Sequence, residues 1–384
     1  MIEIRATELT SGERRLQHDV REFLARELSR GSFTPGLGMN AAKDPAFSSK
    51  LAQQGWVGMA LPTRYGGHDR SAVDRFVVVE ELLRWGAPVG HHWVADRQSG
   101  PMISRFGSEQ QKQRFLPGIC RGQLSFSIGM SEPDSGSDLA SISTRAVRDG
   151  EGWVITGRKI WTTGADVNDW MIVLCRTGAI DGADRRSGMS QMLVDLKSPA
   201  VHASPIPFID GTADFCDVVL DEVYVPDDLV LGDLGAGWAQ NTSELAFERG
   251  GPDRWLSTYL IVEELLRASG PDVPTPAVDL LGAAVAEYRV LHNLSLSVAR
   301  MIDDRRAPSA EAAMVKEMGT RFEQDVLCAV LEVCDLDPGV PPRSLFERLL
   351  VTATLTAPSF TIRGGTSEIL RSVVVKGLQP SGTR

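Results

Sequence analysis

The stretch TIRGGTSEILRSVV (361–374) brings two glycines, two hydroxyls and an acid to what reads as a turn running into a helix. Gly364 and Gly365 supply a backbone that can take positive φ or approach a ligand closely. Thr366 or Ser367 can cap the helix, and Glu368 falls in its first turn. The arrangement suits holding a ligand against a helix N-terminus, yet Gly364 has no side chain to do chemistry. Three other segments carry polar or aromatic groups at suggestive spacing. SEPDSGSD (131–138) surrounds Gly136 and Ser137 with small residues and acids. Their N–H and hydroxyl groups can hold a phosphate or a polar ring edge, although an ordinary hairpin turn has the same composition. In TGRKIWTTGA (156–165), Trp161 and Thr163 lie two apart and so share a strand face. An aromatic and a hydroxyl on one face suit a planar cofactor; a Trp161 that is simply core is the alternative. SELAFERGGPDRW (243–255) places Glu244 and Glu248 four apart on one helical face, with Arg249 beside the second. A solvated helix face with an ion pair has that pattern too.

These segments need elements to position them. Residues 1–124 read as mostly helical: SGERRLQHDVREFLARELS puts Leu16, Val20, Phe23, Leu24 and Leu28 on one face, with Ser11 as a cap. QQGWVGMALPTRYGGHD (53–69) is a connection punctuated by Gly and Pro, after which helical patterns resume. From about 125 to 231 the texture changes to short apolar or alternating runs rich in Val, Ile and aromatics, separated by turn clusters, which predicts strands. Helical patterning returns after GDLGAGW (232–238), broken by SGPDVPTP (269–276) and DLDPGVPP (335–342). Segregated helices, strands and helices predict an α+β assembly, not a doubly wound sheet. The divisions expected are an N-terminal α-helical domain (1–124), a middle β-domain (125–237) and a C-terminal α-helical domain (238–384). No GxGxxG follows a strand, and neither GxxxxGK[ST] nor GxSxG occurs.

The 384 residues carry a formal net charge of −10, which argues against a nucleic-acid partner. The five cysteines form no CxxC pair and read as buried free thiols. The six histidines show no ligand spacing, the adjacent His91 and His92 included, so no metal is expected. No apolar run approaches the ~18 residues of a membrane span. MIEIRATELT lacks the features of a signal peptide, and a cytoplasmic protein is expected.

Six segments stand in one order: GW…LPTRYGG (55–67), GSEQQKQRFLPGI (107–119), MSEPDSGSDLAS (130–141), GWVITGRKIWTTGA (152–165), VVLDEVYVPDDLVLG (218–232) and GGTSEILR (364–371). Together they resemble the acyl-CoA dehydrogenase family from about residue 10 to 378. The resemblance implies a helical domain, a β-barrel or sandwich domain and a C-terminal four-helix bundle, with FAD at their junction. It implies α,β-desaturation of an acyl-CoA thioester: a carboxylate removes the α-proton and the β-hydride goes to flavin N5. It implies that Ile128, Met130 and Ser131 line the flavin and that Trp161 and Thr163 contact its ring. Gly136 belongs to the same cofactor loop; Ser137 reaches a phosphate or the pantetheine of the substrate, and Thr366 and Glu368 lie near the ribityl–diphosphate region. The Gly364 N–H becomes the donor to the thioester carbonyl, a role that needs no side chain.

The resemblance also implies a base. Many members carry a glutamate immediately before the GT, where this chain has Gly364. The isovaleryl and long-chain types leave a small residue there and take the glutamate from the helix after the β-domain, just before an arginine. AFERGG is similar to that arrangement, which makes Glu248 the base and sets Arg249 on the CoA side of the pocket. A glycine at 364 is expected to free volume for a branched or bulky acyl group. The chain departs from the family where an Arg…Phe-Gly segment usually reaches the FAD diphosphate of a neighbouring subunit. LLRASGPDVPTPAVDLL (265–281) stands there, retaining Arg267 only. The usual GGxGY and the arginine of the last helix are missing too. The partners implied are an electron-transfer flavoprotein and either a homo-oligomer (dimer or tetramer) or a hetero-oligomer with a second family member. An acyl-CoA oxidase-like flavoenzyme and a non-catalytic partner subunit are the alternative functions.

Overall fold

The computed structural model describes residues 2, 4–38, 42–182, 184–269, 275–334 and 340–378, with the side chains of 243–248 and 275 excepted. The Glu244 and Glu248 side chains therefore lie outside the described residues, as do parts of the two Pro-rich breaks and the tail. In chain order the helices and strands are α1 (Ser11–Ser29), α2 (Pro45–Gln53), α3 (Ala72–Arg84), α4 (Gly100–Phe106), α5 (Glu109–Cys120), β1 (Phe126–Gly129), β2 (Arg145–Asp149), β3 (Gly152–Thr163), β4 (Trp170–Arg176), β5 (Met189–Asp195), β6 (Val201–Ile206), β7 (Phe215–Pro226), β8 (Val230–Leu231), α6 (Gly237–Glu248), α7 (Tyr259–Ser269), α8 (Thr275–Asp303), α9 (Ser309–Val333), α10 (Leu345–Thr356) and α11 (Ser367–Leu378). The order helices, strands, helices is the one expected.

The chain divides into two packed units. One comprises Met1–Ala42, Ser71–Val89 and Leu245–Arg384. Its first helix starts one residue earlier in register than the cap reading placed it: Thr10, not Ser11, is the N-cap, and a capping box with Glu13 satisfies two backbone donors. Leu16, Val20, Phe23 and Leu24 face inward as their spacing requires, but Leu28 is only half-buried. Glu27 takes the buried place beside it, because Arg30 and Ser32 donate to its carboxylate at 3.3 and 2.8 Å. Helices α7, α9 and α10 pack an apolar core around Leu260, Ile261, Leu327, Val330 and Leu350. Helix α3 is tied to α8 by the Glu80–His292 pair at 2.7 Å.

The second unit comprises Lys43–Arg70 and Gly90–Glu244. Its strands form a sheet in the order β6-β7-β3-β2-β4-β5-β8, with β1 parallel to β4. Alternation places Trp153 and Ile155 of β3 and Val218, Leu220, Val223 and Val225 of β7 in one core with Phe115, Leu116 and Ile119 of α5. Gly157 interrupts β3 for a steric reason: a Cβ there would sit 2.7 Å from Thr144 Cα. Of the five cysteines, Cys120, Cys175 and Cys216 are buried free thiols; Cys334 is half-buried and Cys328 is exposed, against the expectation of burial for all.

His92 is sealed in this unit, with Nδ1 2.8 Å from Ser48 Oγ. Burial, with help from the neighbouring His91, pulls its imidazole down to about 3 from an ordinary 6.5. The unfolded chain takes up that proton below pH 6.5 and the folded chain does not, so stability present above pH 6.5 is lost as pH falls toward 3. The denaturant midpoint is expected to drop as pH is lowered from neutral through this window. His92→Asn should flatten the drop, and an unchanged slope in the variant would contradict the assignment.

Candidate active site

Strands β1 and β3 of the second unit bring together most of the residues read as cofactor contacts. Ile128 pairs with Ile172 of β4, and Met130, one residue past β1, packs on Ile142, Leu174 and Met189. Ser131 O accepts from Ile160 N at 2.9 Å, which lays the 130–132 segment along β3. Ser127 Oγ donates to Thr163 O at 2.8 Å, and Asn168 Nδ2 reaches the same carbonyl. The pairing of β3 with β7 shifts register between Lys159 and Thr162, and Trp161 has a φ of 59°. This is a β-bulge, and a positive φ at a bulky residue stores strain that a packed core would not require. Simple two-residue alternation therefore does not apply here: Lys159 and Thr162, three apart, both point inward. Trp161 is 53% exposed, which removes the reading of it as core. Its indole meets Phe215 edge-on at 6.1 Å between centroids. Thr163 and Ser131 are half-buried.

The SEPDSGSD loop is both a turn and a platform. Glu132 and Ser135 exchange backbone hydrogen bonds at 2.9 and 3.0 Å, while Gly136 and Ser137 stand exposed. Nothing lies within 4 Å of where a Cβ on Gly136 would sit. Glu132 itself points inward and accepts from Ser143 N, Ser143 Oγ and Thr144 N. Its partner is Lys159, whose fully buried ammonium donates to Glu132 Oε1 at 2.8 Å and to Met130 O at 3.0 Å. Burial alone would raise the Glu132 carboxyl, but the Lys159 charge and these hydrogen bonds outweigh it and hold the group at about 2. Burial draws Lys159 below its usual value, with Glu132 opposing.

In the first unit, Gly364 and Gly365 both take positive φ, 67° and 105°. Arg249 Nε donates to Gly364 O at 3.2 Å and Lys316 Nζ to Gly365 O at 2.8 Å. Arg249 is the residue after the last residue of α6, Glu248. Thr366 caps α11: its carbonyl accepts from Leu370 N at 3.0 Å and its hydroxyl faces Ile369 N at 3.5 Å. Glu368 is exposed in the first turn, its carboxyl held below the usual range by a backbone hydrogen bond and by Thr366. Under the glycines lies a buried charged cluster of Asp253, Arg254, Lys316 and Glu323, with Arg363 at its edge. Glu323 accepts from Ser257 N at 2.6 Å and lies 3.9 Å from Arg363. Burial pushes its carboxyl up, against the pull of Arg363 and Ser257.

The Gly364 side-chain direction is not open. A Cβ there would come 3.3 and 3.4 Å from Arg254 Nη1 and Nη2 and 3.4 Å from Lys316 Cε. A side chain at 364 would therefore crowd two cationic side chains. Lys159 and Lys316 are not singled out by sequence reasoning, although each had a signal. Lys159 falls among apolar inward positions of β3, and Lys316 shares its helical face with Ala312, Ala313, Gly319, Thr320 and Glu323.

A three-part α+β chain with these two arrays has its counterpart among known proteins. The acyl-CoA dehydrogenase N-terminal, middle and C-terminal domain families match residues 10–123, 127–223 and 278–379. The chain belongs to the acyl-CoA dehydrogenase family, FAD-dependent flavoprotein oxidoreductases, and is an enzyme of that class. It is 30% identical over 384 residues to acyl-CoA dehydrogenase FadE29 of Mycobacterium tuberculosis, with 96% of each chain covered. Among solved structures it is similar to the Tcur3481-Tcur3483 steroid ACAD, with a TM-score of 0.83, 25% identity and 96% and 97% of the two chains covered. The ChsE4-ChsE5 complex from Mycobacterium tuberculosis is similar at a TM-score of 0.80 and 25% identity, over 98% of this chain and all of that one. Among the described residues no helix is long and apolar enough to cross a membrane.

The second-unit array fits a flavin. It offers a half-open indole held out by a bulge, partly exposed hydroxyls and an unobstructed glycine backbone. The Lys159–Glu132 pair underlies that wall. Replacing Lys159 by Met leaves Glu132 buried without its counter-charge and should cost ~3–5 kcal/mol. Denaturant titration near neutral pH checks this; a loss under ~1 kcal/mol would show the pair to be dispensable.

Proposed function

We propose that this chain catalyses α,β-dehydrogenation of an acyl-CoA thioester with Glu248 as the base. One observation carries the assignment. Arg249, the next residue after Glu248, donates to the carbonyl of Gly364, the position that has no carboxylate of its own. The end of α6 is thereby tied to the Gly364 loop, so a base from α6 serves where other family members use a side chain at the loop. Glu248 takes the α-proton, the C–H electron pair moves onto the thioester oxygen, and the Gly364 N–H donates to that oxygen. Arg249 and Ser137 bind the CoA portion. When bound, FAD would supply the acceptor of the β-hydride at N5. Ile128, Met130, Ser131, Trp161 and Thr163 would line and orient its ring; Gly136, Ser137, Thr366 and Glu368 would serve its polar chain. An electron-transfer flavoprotein is the proposed electron acceptor. Glu248→Gln should retain flavin and abolish its bleaching by acyl-CoA. Bleaching at the wild-type rate would remove Glu248 as the base.

We further propose that a second family member completes the adenine side of the FAD site. The Phe-Gly of the usual segment is missing, and Arg267 is engaged by Glu263 and Glu264 of its own helix at 2.7 and 2.5 Å. The similarity to the Tcur3481-Tcur3483 and ChsE4-ChsE5 proteins, whose names pair two chains, favours this reading. The chain expressed alone should be colourless and stay so with added FAD. An oxidised-flavin spectrum at about one flavin per chain would instead make the site complete in a homo-oligomer.

A further inference from the structure

We propose that Lys316 is a positioning residue for α-proton removal: its buried ammonium holds the Gly365 carbonyl while its arm packs behind Gly364, and together these contacts set where the glycine turn presents the Gly364 N–H. The inference rests on the reading of that N–H as the thioester donor and of Glu248 as the base. Two adjacent glycines form the least constrained backbone a chain can have. A donor built on them is preorganised only if neighbouring groups hold it. Here every residue of the segment is held. Arg363 Nη2 donates to Ser257 Oγ at 3.0 Å. Gly364 O accepts from Arg249 at 3.2 Å, Gly365 O accepts from Lys316 at 2.8 Å, and Thr366 starts α11. The holders come from separate elements, so the loop cannot shift as a piece with any one of them.

Lys316 is the costly member of this set. Its side chain is fully buried in α9, and a sealed ammonium is expensive where an apolar residue of similar size would pack as well. Its Cε lies 3.4 Å from the Cβ position of Gly364, so the arm passes directly behind the donor residue. The sign of its charge also suits a donor facing an oxygen that becomes negative as the α-proton leaves.

The proton step can be read without redox turnover. A 3-thia-acyl-CoA has sulfur at the β-position and no hydride to give, but its α C–H can still break. The proton goes to Glu248, the electron pair goes onto the thioester oxygen, and in D2O a deuteron returns. The experiment measures α-deuterium incorporation by mass spectrometry, with a 3-thia-acyl-CoA that the wild-type holoenzyme exchanges, alongside Kd for the same analogue. Lys316→Met should exchange about 10–100-fold more slowly at unchanged Kd, and Lys316→Arg should recover much of the rate. A wild-type rate in Lys316→Met, or a parallel loss of rate and binding that Lys316→Arg does not repair, overturns the proposal. Glu248→Gln is run beside it. If that variant exchanges normally, the assignment of the base has failed. If it is dead while Lys316→Met is normal, the Lys316 inference alone has failed. Should Lys316→Met not fold, Lys316→Gln keeps a neutral donor and is expected to slow exchange about tenfold, a wild-type rate again overturning the role.

Discussion

An ammonium sealed from water must be met by negative or carbonyl partners, and among the described residues Lys159 and Lys316 organise what surrounds them in this way. Lys159 gathers Met130 O and Glu132 beneath the bulged end of β3. Lys316 reaches Gly365 O beneath the glycine turn. In each case a cation that is costly to bury is coupled to a short irregular segment that regular secondary structure could not hold. The 130–132 segment and the 363–366 segment are also where the proposed cofactor and thioester contacts fall.

The glycine turn shows how a site can rely on backbone chemistry. Its proposed working group is an N–H, and the reactive carboxylate is proposed to come from elsewhere. A side chain at 364 is disfavoured by a φ of 67° and crowded by Arg254 and Lys316, 3.3–3.4 Å from the Cβ position. A glutamate placed there would meet guanidinium and ammonium groups and be drawn into an ion pair, a poor setting for a base. The base proposed at the end of α6 and the glycine in the turn are therefore two parts of one proposed arrangement.

The order of helices and strands was legible because hydrophobic periodicity and turn composition are local properties. The errors arose where periodicity was overruled by a specific hydrogen-bond partner, here one close by in the chain. Ser11 yielded the cap to Thr10 because Glu13 completes a box with Thr10. Leu28 yielded its inner place to Glu27 because Arg30 and Ser32 pay for the buried carboxylate. The bulge between Lys159 and Thr162 breaks the alternation of β3, yet Trp161 and Thr163 still flank the buried Thr162.

What the sequence alone determined was the family, the three-part order of elements and the residue types at the proposed site, because ordered motifs such as SEPDSGSD, WTT and GGTSEI persist as strings. The tertiary structure decided which charges are buried together. Asp253, Arg254, Lys316, Glu323 and Arg363 are scattered over more than a hundred positions and converge only when α9 packs beneath the turn before α11. Burial multiplies the consequence of each such charge, and burial is a property of the packed chain that no single segment carries.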